Sequence, residues 1–240
     1  MILVALAAAA LAFFLSAAAG FGGSLVLVPI LALLLGPKEG VALSALLLAG
    51  NNVAKIIVYR HTLPFRAALL VMLLTVVGAA LGARLLLAAP ERWVQIACIG
   101  VLLLSFLSEN PFRAGEEPKR TPRWLAPILA FFAGATSGFS GTSGPLKGVS
   151  LRALHLDRRQ LVGAASLVSL AGDLTKTVVF AKASLLDTEG WTVALAAVPL
   201  MPLAALAGSR VNARLGERAY TALFWVVMTG YAARLVLSKS

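Results

Sequence analysis

The sequence predicts an all-α polytopic membrane protein made of two inverted-topology repeats, each a re-entrant broken-helix hairpin followed by three transmembrane helices. Three observations carry that expectation. Of the 240 residues, 60% are apolar and only 13% charged, with a mean hydropathy of +0.90, a balance that ordinary soluble domains do not show. A Gly-rich stretch interrupts an apolar run twice, as A-G-F-G-G-S at Ala19 to Ser24 and as S-G-F-S-G-T-S-G-P at Ser137 to Pro145. Finally, polar anchors recur in the same order on either side of a polar segment near the middle.

Apolar runs bounded by polar loops place helices near 2–18, 24–35, 41–58, 66–88, 92–108, 123–136, 146–151, 160–180, 190–208 and 217–237. The first run imitates the apolar part of a signal peptide, but no basic residue precedes Lys38, so it is read as structure. Glycine and small hydroxyl residues should break the helix at both repeated stretches. Inside a bilayer, backbone groups freed by a break must be buried in protein or line a wet cavity, so the two breaks mark a candidate site. Residues 109–122, with Glu116, Glu117, Lys119, Arg120 and three prolines, read as a cytoplasmic linker between a first repeat (1–108) and a second (123–240). In that division the hairpins are 2–35 and 123–151, and the three spans of each repeat are 41–58, 66–88, 92–108 and 160–180, 190–208, 217–237.

The halves align through Gly20-Phe21 with Gly138-Phe139, Ala49-Gly50-Asn51 with Ala171-Gly172-Asp173, Lys55 with Lys176, Gly82-Ala83-Arg84 with Gly208-Ser209-Arg210, and Glu91-Arg92 with Glu217-Arg218. If every broken segment crossed the membrane, basic residues would divide nine against ten between the two sides. If each broken segment goes in and comes back, the loops at 59–66, 109–123, 147–159 and 209–218 share one side with 13 basic residues and leave six on the other. The second split is what the positive-inside rule expects. Each half then has three full crossings, so the halves are inverted and the hairpin tips dip in from opposite faces toward the midplane, as in many secondary transporters.

At the far side of each tip a short helix begins, and helix N-termini present free N–H groups and the positive end of the dipole. Gly22, Gly23 and Ser24 in the first tip, and Ser140, Gly141, Thr142 and Ser143 in the second, are therefore candidate anion-binding residues, with Gly23 and Gly141 as the places where backbone amides approach the anion. Close packing of small residues is the competing reading. Ser16, in a helix arm, serves as a tolerant reference position. Mid-span polar residues come next: Asn51, Asn52 and Lys55 in one half, Asp173, Thr175 and Lys176 in the other. A charge in a membrane helix costs about 2.5–3.5 kcal/mol even on the gentler scales, which makes each a functional candidate. Two alternatives stand for each charged site. Lys55 either faces the site or snorkels to the interface; Asp173 and Lys176, three apart on one face, either neutralise each other or divide the work, Asp173 taking a coupling proton and Lys176 facing the anion. Gly82-Ala83-Arg84 and Gly208-Ser209-Arg210 read as packing and anchoring groups, and His61 and His155 as loop residues.

The net charge of +11 does not indicate nucleic acid, because the basic residues sit in short loops between apolar runs. An intramembrane enzyme would need a nucleophile with a base, a carboxylate pair or a metal cluster. Asp173 is the only mid-span carboxylate, and Cys98, the only cysteine, lies outside both tips in the sequence. No catalytic residue, metal or cofactor is expected.

The G-F-G-G stretch followed by L-V-P-I, the polar mid-helix segment, the G-x-R-L after the third run and the weaker repetition of all three resemble the sulfite/organosulfonate exporter family (TauE/SafE). The resemblance implies a multi-pass permease of the bacterial inner membrane that exports small sulfur-containing anions such as sulfite or organosulfonates with proton coupling. One branch imports thiosulfate through pore cysteines, which makes thiosulfate or another small anion the alternative. The expected partners are the anion and the lipid bilayer, with a homodimer left open.

Overall fold

A computed structural model describes residues 2–19, 23–108 and 121–212. The Gly22 candidate, the linker up to residue 120 and the expected last helix at 217–237 lie outside the described residues. Those described form ten α-helices: α1 (Ile2–Ala19), α2 (Gly23–Leu35), α3 (Pro37–Val58), α4 (Phe65–Ala88), α5 (Glu91–Ser108), α6 (Leu125–Ser140), α7 (Gly144–Arg152), α8 (Arg158–Lys182), α9 (Thr188–Ala197) and α10 (Leu200–Asn212). A 3₁₀ turn, Arg60–Thr62, links α3 to α4.

The chain is a multi-pass membrane protein by these helices. α3, α4 and residues 160–182 of α8 are each long and apolar enough to cross a bilayer, and the bent pair α9 and α10 makes a fourth crossing if taken as one span. Large apolar side chains face outward along α4 (Leu69, Leu70, Leu73, Val77, Leu81) and recur on α5, α8 and α10, as lipid contact requires. Trp93, Trp124 and Trp191 are exposed at the starts of α5, α6 and α9, where interfacial anchors belong.

Two helix pairs fold back on themselves. Ser150 Oγ, near the end of α7, donates to the Ala126 carbonyl at the start of α6 (2.7 Å), so that chain returns to the level at which it began. Ile2 and Ala5 of α1 line one 390 Å³ pocket together with Leu31, Leu34 and Leu35 of α2, the same relation in the first pair. Gly36 (φ +104°) then turns the chain, Pro37 opens α3, and Gly40 lies against the Ala32 backbone.

The tightest crossing joins α4 and α6. A Cβ on Gly78 or Gly82 would collide with the carbonyls of Phe131 and Ala135, and one on Gly134 or Gly138 with those of Thr75 and Ala79. Two Gly-x-x-x-Gly faces thus bring backbones into direct contact, as membrane helices do when small residues line the seam. α1 also packs along α10.

Two boundaries differ from the sequence reading. The second break is only Gly141–Ser143, because α6 runs through Ser137-Gly138-Phe139-Ser140; packing of Gly138 on α4 overrides its weak helix preference. The expected single helix over 190–208 is instead bent by 46° between α9 and α10. Pro199, which has no N–H and crowds the carbonyl four residues earlier, sits in that break.

Candidate functional site

Helices α3 and α8 cross at the centre and carry the mid-span polar residues. The Asn52 side-chain amide donates to Asp173 Oδ2 at 2.8 Å. One turn further along each helix stands a lysine. Lys55 Nζ donates to Ser16 Oγ at 2.8 Å, and Lys176 Nζ to Ser137 Oγ at 2.9 Å; each serine precedes its lysine by 39 residues. Lys176 also pairs with Asp173 Oδ1 at 2.7 Å. Both lysines are buried, at 2% and 1% exposure. Lys55 therefore does not snorkel: its ammonium is held inside, on a neutral hydroxyl, and forms no salt bridge with a carboxylate among the described residues.

The second break meets the start of α2. Ser24 Oγ and Thr142 Oγ1 are 3.1 Å apart, joining the start of α2 to the turn before α7. An interhelical bond of this kind is worth only about 0.6 kcal/mol on average in a membrane, so its importance is positional. Gly141 has φ +78° and caps α6 with its own amide, which donates to the Ser137 carbonyl (2.9 Å). A Cβ there would sit 2.8–3.1 Å from Val28 and Val41. This glycine thus supplies the left-handed turn and a close approach to α2 and α3, and its amide is already engaged. At Gly23 the space for a Cβ is taken by Ser16 and Leu48, so packing claims that position too. The Ser140 hydroxyl donates to the backbone of Thr136 (2.9 Å) and of Thr142 (3.1 Å). Ser143 is buried immediately before α7.

Asn51 is fully buried and neither its amide nitrogen nor its oxygen has a partner. Such a group costs about 1–3 kcal/mol when left unsatisfied, which a ligand's polar atoms would relieve. Thr175 goes elsewhere: its hydroxyl is spent on the Ala171 carbonyl (2.7 Å), and it lines a separate groove of 640 Å³ with Arg84, Leu174, Val178 and Lys182. Two residues after Asp173 puts it on a different face of α8.

Three residues of the cluster escaped sequence reasoning. Ser16, the reference position, holds Lys55, and Ser137 holds Lys176; the shared 39-residue spacing was the available signal. Lys147, counted among loop residues, lies inside α7 and donates to Ser169 Oγ on α8 at 2.9 Å. Its withdrawal leaves twelve basic loop residues against six, so the charge asymmetry survives. The position of Cys98 is also corrected. It is distant from both tips in sequence, yet its thiol donates to the Ser140 carbonyl at 3.3 Å, against the second tip.

The site is therefore a buried polar cluster where the second helix break meets the start of α2, rich in hydroxyls and ammonium groups and holding one carboxylate. The family model for the sulfite exporters TauE/SafE matches residues 5–235. The chain belongs to the TauE/SafE sulfite exporter family. That family is one of transporters, and the helices described above are those of a multi-pass membrane protein. No curated protein and no solved structure matched the chain.

Proposed function

We propose that the chain is a secondary transporter that exports small sulfur-containing anions, such as sulfite or organosulfonates, across the bacterial inner membrane with proton coupling. The observation that carries this reading is the central cluster, in which the Ser16–Lys55 and Ser137–Lys176 contacts flank the Asn52–Asp173 bond. Keeping two buried lysines in a membrane protein costs several kcal/mol, and Lys55 has only a hydroxyl in return. An anion received between them would offset that cost. Asn51, whose amide has no partner among the described residues, is the donor and acceptor left for its oxygens, and Asp173, paired with Lys176, is the group through which a proton would be coupled.

In the same reading the chain consists of two inverted repeats, 1–108 and 123–240, joined by the linker 109–122, with α1/α2 and α6/α7 as re-entrant hairpins. What supports this is the fold-back of both pairs, the meeting of Ser24 with Thr142, and the equal serine–lysine spacings. The Asn52–Asp173 bond also lies between positions three residues before each lysine, which sets the alignment of the halves here one residue away from the Asn51–Asp173 pairing read from the sequence.

Two measurements test the reading. Purified protein should unfold at a higher temperature in sulfite or sulfoacetate than in the same concentration of taurine or acetate, since ligand at 100 times its Kd adds about 2.7 kcal/mol to the folded state. Absence of stabilisation by any sulfur oxyanion would remove the proposal. For topology, single cysteines at His61, Glu116 and His155 in a Cys98→Ala background should stay unlabelled by an impermeant reagent applied from outside, whereas one at Ala183 should label. A split result within the first three would refute the inverted arrangement. Cys98 against the second tip favours thiosulfate import as the second reading, and thiosulfate belongs in the same screen.

A further inference from the structure

Lys147 has no role in the reading above, yet the fold places it beside the cluster. It lies three residues into α7 from Gly144, and its ammonium donates to Ser169 Oγ at 2.9 Å. Ser169, Asp173 and Lys176 follow one another at i, i+4 and i+7 on α8 and so share one face. At 1.5 Å per residue, Ser169 is about 6 Å along the axis from Asp173. Across from Asp173 stands Asn52, a turn from Lys55. The cluster thus gathers three ammonium groups, Lys55, Lys147 and Lys176, around the single carboxylate of Asp173. Asp173 is committed to Lys176, which leaves two positive charges held only by serine hydroxyls.

Lys147 has no basic equivalent in the first half. By the 118-residue offset that relates Ser24 to Thr142, its counterpart in the first half is Pro29, and by the 121-residue offset that relates Lys55 to Lys176, the counterpart of Ser169 is Leu48. These two positions, Pro29 on α2 and Leu48 on α3, are both apolar and buried. Lys147 and Ser169 thus have no polar equivalents in the first half.

We propose that the central cluster is a receptor for a doubly charged anion, with the Lys147–Ser169 pair as the contact that recognises the second negative charge. This rests on the anion-transporter reading. Lys55 is buried and Lys147 half-buried; a dianion neutralises both ammonium groups, whereas a monoanion leaves one of them bare. Asn51, with its unused donor and acceptor, adds a polar contact that carries no charge preference.

The test compares sulfoacetate with isethionate, two-carbon sulfonates in which a carboxylate replaces an alcohol, binding to the full-length purified protein by titration calorimetry. Sulfoacetate should bind at least about tenfold tighter than isethionate. Lys147→Gln should remove most of that preference by weakening sulfoacetate while leaving isethionate within about threefold, and Lys147→Arg should keep it. Equal wild-type affinities for the two sulfonates would overturn the proposal and leave the transporter reading standing; so would a Lys147→Gln variant that weakens both alike. If neither sulfonate nor sulfite binds, both readings fall. Should Lys147→Gln not fold, Ser169→Ala, which releases the ammonium from its tether, must lower the sulfoacetate preference, and an unchanged preference overturns the proposal.

Discussion

Asp173→Ala is expected to destabilise the protein by about 3–5 kcal/mol, the cost of stripping the partner from a buried ion pair. The carboxylate accepts from Lys176 at 2.7 Å and from Asn52 at 2.8 Å, and Lys176 is 1% exposed. Its loss leaves a lysine whose remaining partner is the Ser137 hydroxyl. The double variant Asp173→Ala/Lys176→Met should recover most of that stability, because replacing both members of a buried pair by apolar groups is often neutral or favourable. What it should not recover is the anion-induced rise in unfolding temperature. The pair thus separates two roles that the sequence left open. A double variant that is stable and still responds to sulfite or sulfoacetate would mean that Asp173 and Lys176 merely neutralise each other. A single variant as stable as wild type would mean that the pair does not hold the centre at all.

How much of this was legible in the sequence depends on which physical signal each residue leaves. Helix positions followed from apolar runs because lipid contact and core both demand them, and the breaks followed from glycine. Lys55, Asp173 and Lys176 were found because a charge inside an apolar run stands out. Lys147 was missed for the opposite reason: it stands at the start of the short helix expected at 146–151 and was counted with the basic residues of the 147–159 loop, so its charge was read as a mark of topology. Ser16 was missed because a serine inside an Ala/Leu-rich helix leaves no contrast, and Ser137 because it was read as part of the Gly-rich break; only the tertiary contact with a lysine 39 residues later gives each its meaning. Cys98 was misplaced because α5 meets the end of α6 through the fold alone. Thr175 was grouped with its neighbours by proximity in the chain, although helical geometry turns it away from Asp173 and Lys176.

Gly138→Ala is expected to destabilise the protein while Gly100→Ala stabilises it slightly. In an ordinary helix interior alanine is favoured over glycine by about 0.5–1 kcal/mol. Gly100 lies in α5 with nothing within 4 Å of a Cβ, so it should show that gain undiluted. At Gly138 the same methyl would run into the Ala79 carbonyl and the Ala83 amide nitrogen of α4. Overpacking costs about 1–3 kcal/mol where side chains can adjust, and a backbone cannot yield as a side chain does, so the upper end applies and exceeds the propensity gain. Separating α6 from α4 also moves Ser137, the residue before Gly138, away from Lys176. The Gly138→Ala protein should therefore lose anion-induced stabilisation as well as intrinsic stability, whereas Gly100→Ala keeps both. Thermal unfolding of the two variants with and without sulfite checks this. Gly138→Ala matching Gly100→Ala in both readouts would show that the α4–α6 seam has room to spare and that the central lysine does not depend on it.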